Sequence, residues 1–259
     1  MSGAAGPVVV LTGASSGIGA RLAVELARVR GARLGLMARR AQQLESVAAE
    51  VREAGGEAHV VTLDVVDAVA TASAVREVRD AFGPVDLAIA NAGIGSPMPM
   101  HHFDAAVCAK TMRVNFEGAT NLFAAVVPEM LERRSGHIVG VSSVAAFRGL
   151  PTSGPYSASK AALTTMLESM RLELRPQGVA VTAVHPGFIR TAMTDKNDFS
   201  MPFIMEVDDA ARLLERKLRK RPREIEFPWQ LAWLSRFSRW GLPDWVFDRV
   251  MAKPPGQKG

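Results

Sequence analysis

Cysteine, tyrosine and long apolar runs are what this chain of 259 residues has least of. Its one cysteine, Cys108, excludes an internal disulfide framework and any Cys-rich zinc module, and points to a reducing, cytoplasmic setting. No uncharged apolar run reaches the roughly 18 residues that read as a membrane-spanning helix. Met1 to Pro7 lead straight into Val8-Val9-Val10-Leu11 without the basic region, apolar stretch and cleavage site of a secretory leader, so none is expected. Low hydrophobicity with high net charge, the mark of disorder, is absent too: 48% of residues are hydrophobic and 22% charged, enough to bury a sizeable core. The length suits one large α/β domain or at most two small ones.

A basic surface spread along the whole chain is also missing. The net charge of +5 suggests nucleic acid until it is located: residues 212–259 hold 12 basic and 5 acidic residues, whereas residues 1–211 hold 19 and 21. The body is near neutral, and no nucleic-acid partner is expected. All four tryptophans, Trp229, Trp233, Trp240 and Trp245, share the basic tail.

What is present from residue 7 to about 184 is an alternation of short β-branched runs with longer amphipathic stretches, the pattern of repeated βαβ units. Strands are expected at 7–12, 32–37, 58–63, 85–90, 136–142 and 179–184, with a seventh at Arg223 to Phe227. Leu44, Val47, Ala48 and Val51 mark one crossover helix, and Val69, Ala72, Val75 and Val78 the next. The fold class is therefore α/β, a doubly wound, mostly parallel seven-stranded sheet with helices on both faces, which binds ligands beyond the carboxyl ends of its strands. Residues 1–227 are expected to form the catalytic and cofactor-binding unit, and 228–259 a helical extension of it. No repeat of fixed period is present.

The first strand ends in Thr12-Gly13-Ala14-Ser15-Ser16-Gly17-Ile18-Gly19 and leads into a helix. Glycines permit close approach of a ligand, and the helix start offers free N–H groups to a pyrophosphate. The spacing Gly-x-x-x-Gly-x-Gly departs from the common Gly-x-Gly-x-x-Gly fingerprint, and a tight turn that holds nothing is the plain alternative. The second strand ends Leu36-Met37-Ala38-Arg39-Arg40, with no carboxylate between Glu25 and Glu45 to grip a ribose 2′-hydroxyl. Two guanidiniums there suit a 2′-phosphate and favour NADP(H), although NAD(H) stays possible and the same arginines also suit a solvent-exposed helix start.

The single tyrosine, Tyr156, stands four residues before Lys160, on one helix face. A phenol with a pKa near 10 is a poor acid-base catalyst at neutral pH, and a neighbouring ammonium is expected to bring it down. Ser142-Ser143, Asn115 and Asn91-Ala92-Gly93 all fall at or just beyond strand ends, where they can reach the same crevice. His101 and His102 have no further ligands nearby, so no metal site is expected.

Over residues 7 to about 195 the sequence resembles the short-chain dehydrogenase/reductase family. The resemblance rests on the Thr12–Gly19 turn, Asp64, Asn91-Ala92-Gly93, Asn115, Ser143 thirteen residues before Tyr156, Lys160, and Pro186-Gly187. It implies a Rossmann fold and hydride transfer between a nicotinamide and a carbonyl or alcohol. It makes Tyr156 the general acid/base, Ser143 the hydrogen-bond donor to the same substrate oxygen, Lys160 the ribose ligand and tyrosine tuner, and Asn115 the anchor of a proton-carrying water chain. Asp64 and Val65 would take the adenine, Asn91 the adenosine side, and Ile189 with Thr191 the carboxamide. It also implies a homodimer or homotetramer through the Tyr156–Arg175 helix, whose Leu163, Leu167, Met170 and Leu174 form an apolar face. A non-catalytic dinucleotide sensor or scaffold keeps the cradle without turnover; the complete Ser143, Tyr156 and Lys160 set argues against it.

Residues 188–205, with Phe188, Met193, Phe199, Met201, Phe203 and Met205, read as an apolar substrate lid, which suits a hydrophobic ketone, aldehyde or secondary alcohol. In the tail, Trp229, Trp233, Phe237 and Trp240 fall within about 80° of helical arc. Such a stripe is ordinarily core, so a lid or subunit-packing helix is the first expectation, and peripheral contact with an anionic membrane the second.

Overall fold

The computed structural model describes residues 6–95, 97–195 and 200–251. Among these, the strands are β1 (Val8–Thr12), β2 (Arg33–Ala38), β3 (Glu57–Thr62), β4 (Leu87–Ala90), β5 (Gly136–Val141), β6 (Val179–Pro186) and β7 (Glu224–Phe227). The helices are α1 (Gly17–Arg30), α2 (Ala41–Glu53), α3 (Ala68–Phe82), α4 (Ala105–Met112), α5 (Gly118–Glu132), α6 (Gly154–Leu174), α7 (Val207–Leu218), α8 (Trp229–Trp240) and α9 (Asp244–Met251). A π-helical turn, Arg113–Glu117, joins α4 to α5. None of these helices is long and apolar enough to cross a membrane.

The strands form one parallel sheet in the order β3-β2-β1-β4-β5-β6-β7. From β1 the chain winds outward one way to β2 and β3, then returns to β4 and winds the other way, so a crevice opens above the carboxyl ends of β1 and β4. Helices cover both faces, and the central strands are accordingly apolar on both sides. In β1, Val9 and Leu11 enter the core beneath α1, α2 and α7, while Val8 and Val10 enter the opposite core beneath α3, α5 and α6. Each fully buried Val or Leu contributes about 1.5–3 kcal/mol.

Strand positions agree with the sequence to within two residues, and the expected α2 stripe of Leu44, Val47, Ala48 and Val51 is buried. One helical face needs correction. In α3 the buried stripe is Thr71, Ala74, Val75 and Val78, and Val69 is 78% exposed. Steps of three residues drift about 60° each, so a stripe that includes Val75 and Val78 has turned away from the sheet by Val69. In α6, Leu163, Leu167 and Leu174 are buried in the core and Met170 packs against it. The three leucines hold the helix to its own sheet; Met166 and Leu172 are the exposed apolar residues of that helix.

In the tail, the Trp229, Trp233, Phe237 and Trp240 stripe of α8 is exposed on the single chain and does not pack on the chain's own core; Leu231 and Ala232 make the buried contact instead. The phase is set by β7: Arg236 turns inward to pair with Glu224 and Glu226 on that strand.

Candidate active site

The crevice is a cavity of about 320 Å³. Its floor is made where β1 and β4 end. Thr12 Oγ1 accepts the N–H groups of Asn91 (3.1 Å) and Ala92 (3.2 Å), and the Asn91 amide donates to the carbonyls of Thr12 and Gly13 (both 3.1 Å). Gly13 has φ +67°, and a Cβ there would stand 2.7 Å from Ala92 Cα. Gly17, φ +58°, opens α1 with its missing Cβ directed at Thr191. Ser16 provides no side-chain cap, and the first turn of α1 holds no acid. Uncapped N–H groups and a positive helix end thus face a cavity lined by Gly13, Ser15, Ser16, Gly17 and Ile18, which fits a pyrophosphate. Gly19 lies behind this wall, where α1 closes on Asn91 and Gly13.

Arg39 and Arg40 line the cavity at the end of β2. Arg40 Nη2 donates to Ser15 Oγ (2.9 Å) and Ser16 Oγ (2.7 Å), so its guanidinium lies across the glycine turn. Arg39 makes only a loose contact with Asp64, 3.9 Å between exposed side chains. Asp64 and Val65 border the same wall, as do Asn91, Ala92 and Gly93.

At the other end lie Ser143, Tyr156 and Lys160 with Pro186, Gly187, Ile189 and Thr191. Ser143 ends β5 and caps a short 3₁₀ turn, its Oγ accepting Ala145 N–H (3.1 Å) and donating to Pro186 O (3.4 Å). His185 is buried and its Nδ1–H donates to Ser143 O (3.3 Å), which fixes the ring's tautomer; burial lowers its pKa. Ser142 borders the cavity too, but its hydroxyl is engaged elsewhere, donating to Lys160 O (2.9 Å) and bonding Thr164 Oγ1 (2.8 Å).

Tyr156 sits in the first turn of α6. Burial pushes its phenol above the ordinary pKa of 10, and a hydrogen bond with the Ser143 side chain opposes that rise. Lys160 Nζ lies 5.7 Å from the tyrosine ring centre and donates to Val141 O (2.7 Å); burial brings its pKa down to about 8. Burial thus works against the lowering expected from the ammonium, whose Nζ is engaged with the Val141 carbonyl.

Asn115 is fully buried in the π-helical turn. Its amide accepts from Ile94 N (2.7 Å) and donates to Ile94 O (2.9 Å) and Ser159 Oγ (2.9 Å). It holds the loop after β4 in place from behind the cavity wall. Sequence reasoning passed over Thr194, which lines the cavity and bonds Ile189 O (2.7 Å) and Thr191 N (2.9 Å). The Thr191-x-x-Thr194 spacing was the available signal. Met193 also lines the cavity, while Met205 packs on the core and Phe203 is half exposed. Met205 N–H bonds Phe188 O (3.0 Å) and Arg190 N–H bonds Met205 O (2.9 Å), tying together the two ends of the segment expected to be a lid; Phe199 lies outside the described residues. His101 and His102 are exposed on a 3₁₀ turn, and among the described residues no three His, Cys, Asp or Glu side chains gather as a metal site.

The loop after Ser143 is clamped by the tail. Phe147 packs at a tilt against His185 (ring centres 4.8 Å) and receives the Arg236 guanidinium on its face (4.6 Å). Arg148 donates to Ser238 O, pairs with Asp244 (2.6 Å) and lies 3.8 Å over the Phe247 ring.

A family model described as short chain dehydrogenase matches residues 7–200. The chain belongs to the short-chain dehydrogenase/reductase family. An uncharacterized oxidoreductase of Myxococcus xanthus is 43% identical over 92% of this chain and 94% of its own length. Dehydrogenase/reductase SDR family member 7B of Mus musculus is 36% identical over 72% of this chain and 59% of its own. Among solved structures, a short-chain dehydrogenase of Sphingobium yanoikuyae in complex with NADPH is 29% identical, covers 98% of both chains and superposes with a TM-score of 0.79. An alcohol dehydrogenase of Thermococcus sibiricus complexed with 5-hydroxy-NADP is 28% identical, covers 85% of this chain and 94% of its own, and gives 0.77. The protein is thus an NAD(P)-dependent short-chain oxidoreductase.

Proposed function

We propose that this short-chain dehydrogenase/reductase uses NADP(H) and reduces an apolar ketone or aldehyde, with Tyr156 as the proton donor. The observation that carries the reading is the meeting of Ser143, Tyr156 and Lys160 at one end of a cavity whose other end holds Arg39 and Arg40 with no carboxylate on β2. The solved relatives bound to NADPH or 5-hydroxy-NADP support the cofactor assignment.

When bound, the nicotinamide cofactor supplies the hydride. The chain supplies the rest. Arg40, braced by Ser15 and Ser16, and Arg39 bind the 2′-phosphate, a task that paired guanidinium hydrogen bonds suit. Negative charge building on the carbonyl oxygen is met by the hydroxyls of Ser143 and Tyr156. A phenol held above its ordinary pKa keeps its proton at neutral pH and is ready to give it, which favours reduction. Lys160, largely charged at neutral pH, binds the nicotinamide ribose and steadies the phenolate as it forms. The ring of Tyr156 and Met193 Sδ both come within 4 Å of where a Gly95 Cβ would stand, so the space beside the phenol is apolar. Pairing of two copies would use the outer side of α6, with Met166 and Leu172, and light scattering checks it.

The test is a screen of aliphatic, aromatic, steroidal and retinoid carbonyls for NADPH oxidation, together with fluorescence titration of NADPH and NADH. Turnover of apolar carbonyls and tighter NADPH binding are expected. Preference for NADH defeats the arginine argument, and no turnover across the screen defeats the reductase assignment.

A further inference from the structure

The four tryptophans of this chain all lie in α8 and α9, and all are exposed: Trp229 by 72%, Trp233 by 61%, Trp240 by 82% and Trp245 by 71%. Leu234, Phe237 and Val250 are exposed beside them in sequence. Trp233 and Phe237 stack in parallel, ring centres 5.3 Å apart, so the α8 stripe is an ordered face rather than scattered side chains. An exposed apolar face of this kind marks an interaction surface.

Its chemistry selects the occupant. The face is mainly indole, an amphipathic group that settles at the headgroup level of a bilayer, with its ring in the apolar zone and its N–H in contact with water. Three of the local acids are already paired: Glu224 and Glu226 with Arg236, and Asp244, itself exposed, with Arg148. Outward, Arg239 lies 5.7 Å from the Trp240 ring, and neither it nor Arg249 has an acidic partner among the described residues. The sequence adds Lys253 and Lys258, opposed only by Asp248. An aromatic face with a cationic border complements anionic lipid headgroups, whereas a second copy of the same face would bring like charges together.

We propose that α8 and α9 seat this protein on an anionic lipid surface, with the stripe of α8 lying in the headgroup layer. The proposal is independent of the substrate reading above. Because Phe147 and Arg148 clamp both helices, the seated surface lies next to the loop that follows Ser143.

The full chain is mixed with phosphatidylcholine vesicles, with and without phosphatidylglycerol. All tryptophan emission arises from this segment, so a blue shift reports the docking itself. The expected result is a blue shift and cosedimentation with the anionic vesicles only, weakening as salt rises. Trp233→Ser with Trp240→Ser, and separately Arg239→Gln with Arg249→Gln, should each lower the bound fraction by roughly an order of magnitude while melting temperature and NADPH binding stay unchanged. Absence of a shift at low salt overturns the proposal, as does equal binding to neutral vesicles. A dimer by light scattering, with emission already blue and indifferent to vesicles, shows that a second copy covers the face and also overturns it.

Discussion

Replacing Lys160 separates the stability of this enzyme from its chemistry. The side chain is 3% exposed, and burial moves its pKa from 10.5 to about 8. Folded chains then release this proton at lower pH than unfolded ones. Between about pH 8 and 10.5 the unfolded state binds more protons, so folding becomes more favourable as pH rises, and below pH 8 the fold bears the full cost of the buried charge. A displacement of about two and a half pH units, at 1.36 kcal/mol each, comes to about 3 kcal/mol, a sizeable part of the roughly 5–15 kcal/mol that holds a domain together. Lys160→Met keeps an unbranched stem and removes the titration. Urea unfolding of the cofactor-free proteins from pH 7 to 10.5 gives the assay, and subtracting the variant cancels groups common to both. The native protein should gain about 3 kcal/mol on the variant across that range, while the variant shows no turnover at any pH. Parallel stability curves would refute the reasoning, because they would mean that the ammonium carries no desolvation cost.

Three further outcomes are expected. Tyr156→Phe should lower turnover by roughly 10²–10⁴-fold, with NADPH affinity by fluorescence titration unchanged. Arg40→Ala should weaken NADPH binding by about tenfold or more and leave NADH binding alone, since a charged hydrogen bond contributes about 1.5–3 kcal/mol. Leu163→Ala should cost about 2–5 kcal/mol in urea unfolding, and Leu172→Ala, on the exposed side of α6, less than about 0.5 kcal/mol; equal costs would put both residues in the same environment.

The sheet and its crevice were legible in the sequence because strands buried on both faces leave unbroken apolar runs, and the glycine turn, Arg39-Arg40 and Tyr156-x-x-x-Lys160 each mark a strand end or helix start. Periodicity reports that a helical face is apolar but not what lies against it. That is why Leu163, Leu167 and Leu174, core residues of α6, read equally well as a subunit contact, and why the α8 tryptophans read as core. The ion pairs of Arg236 with Glu224 and Glu226 set the rotation of α8, and no local pattern announces them. Tyr156 shows the same limit in electrostatics: its spacing from Lys160 was plain, but the weight of burial depends on everything packed around both groups.

Phe147 and Arg148 lie inside the stretch matched by the family, residues 7–200, whereas their partners Arg236, Ser238, Asp244 and Phe247 lie beyond it. The loop and the tail are consequently held together as one unit, although the family match ends between them. A graft that brings in another reductase's C-terminal helices without residues 144–150 would leave Arg148 without its carboxylate and Phe147 without its guanidinium. Recombination of such enzymes should therefore exchange the two segments together.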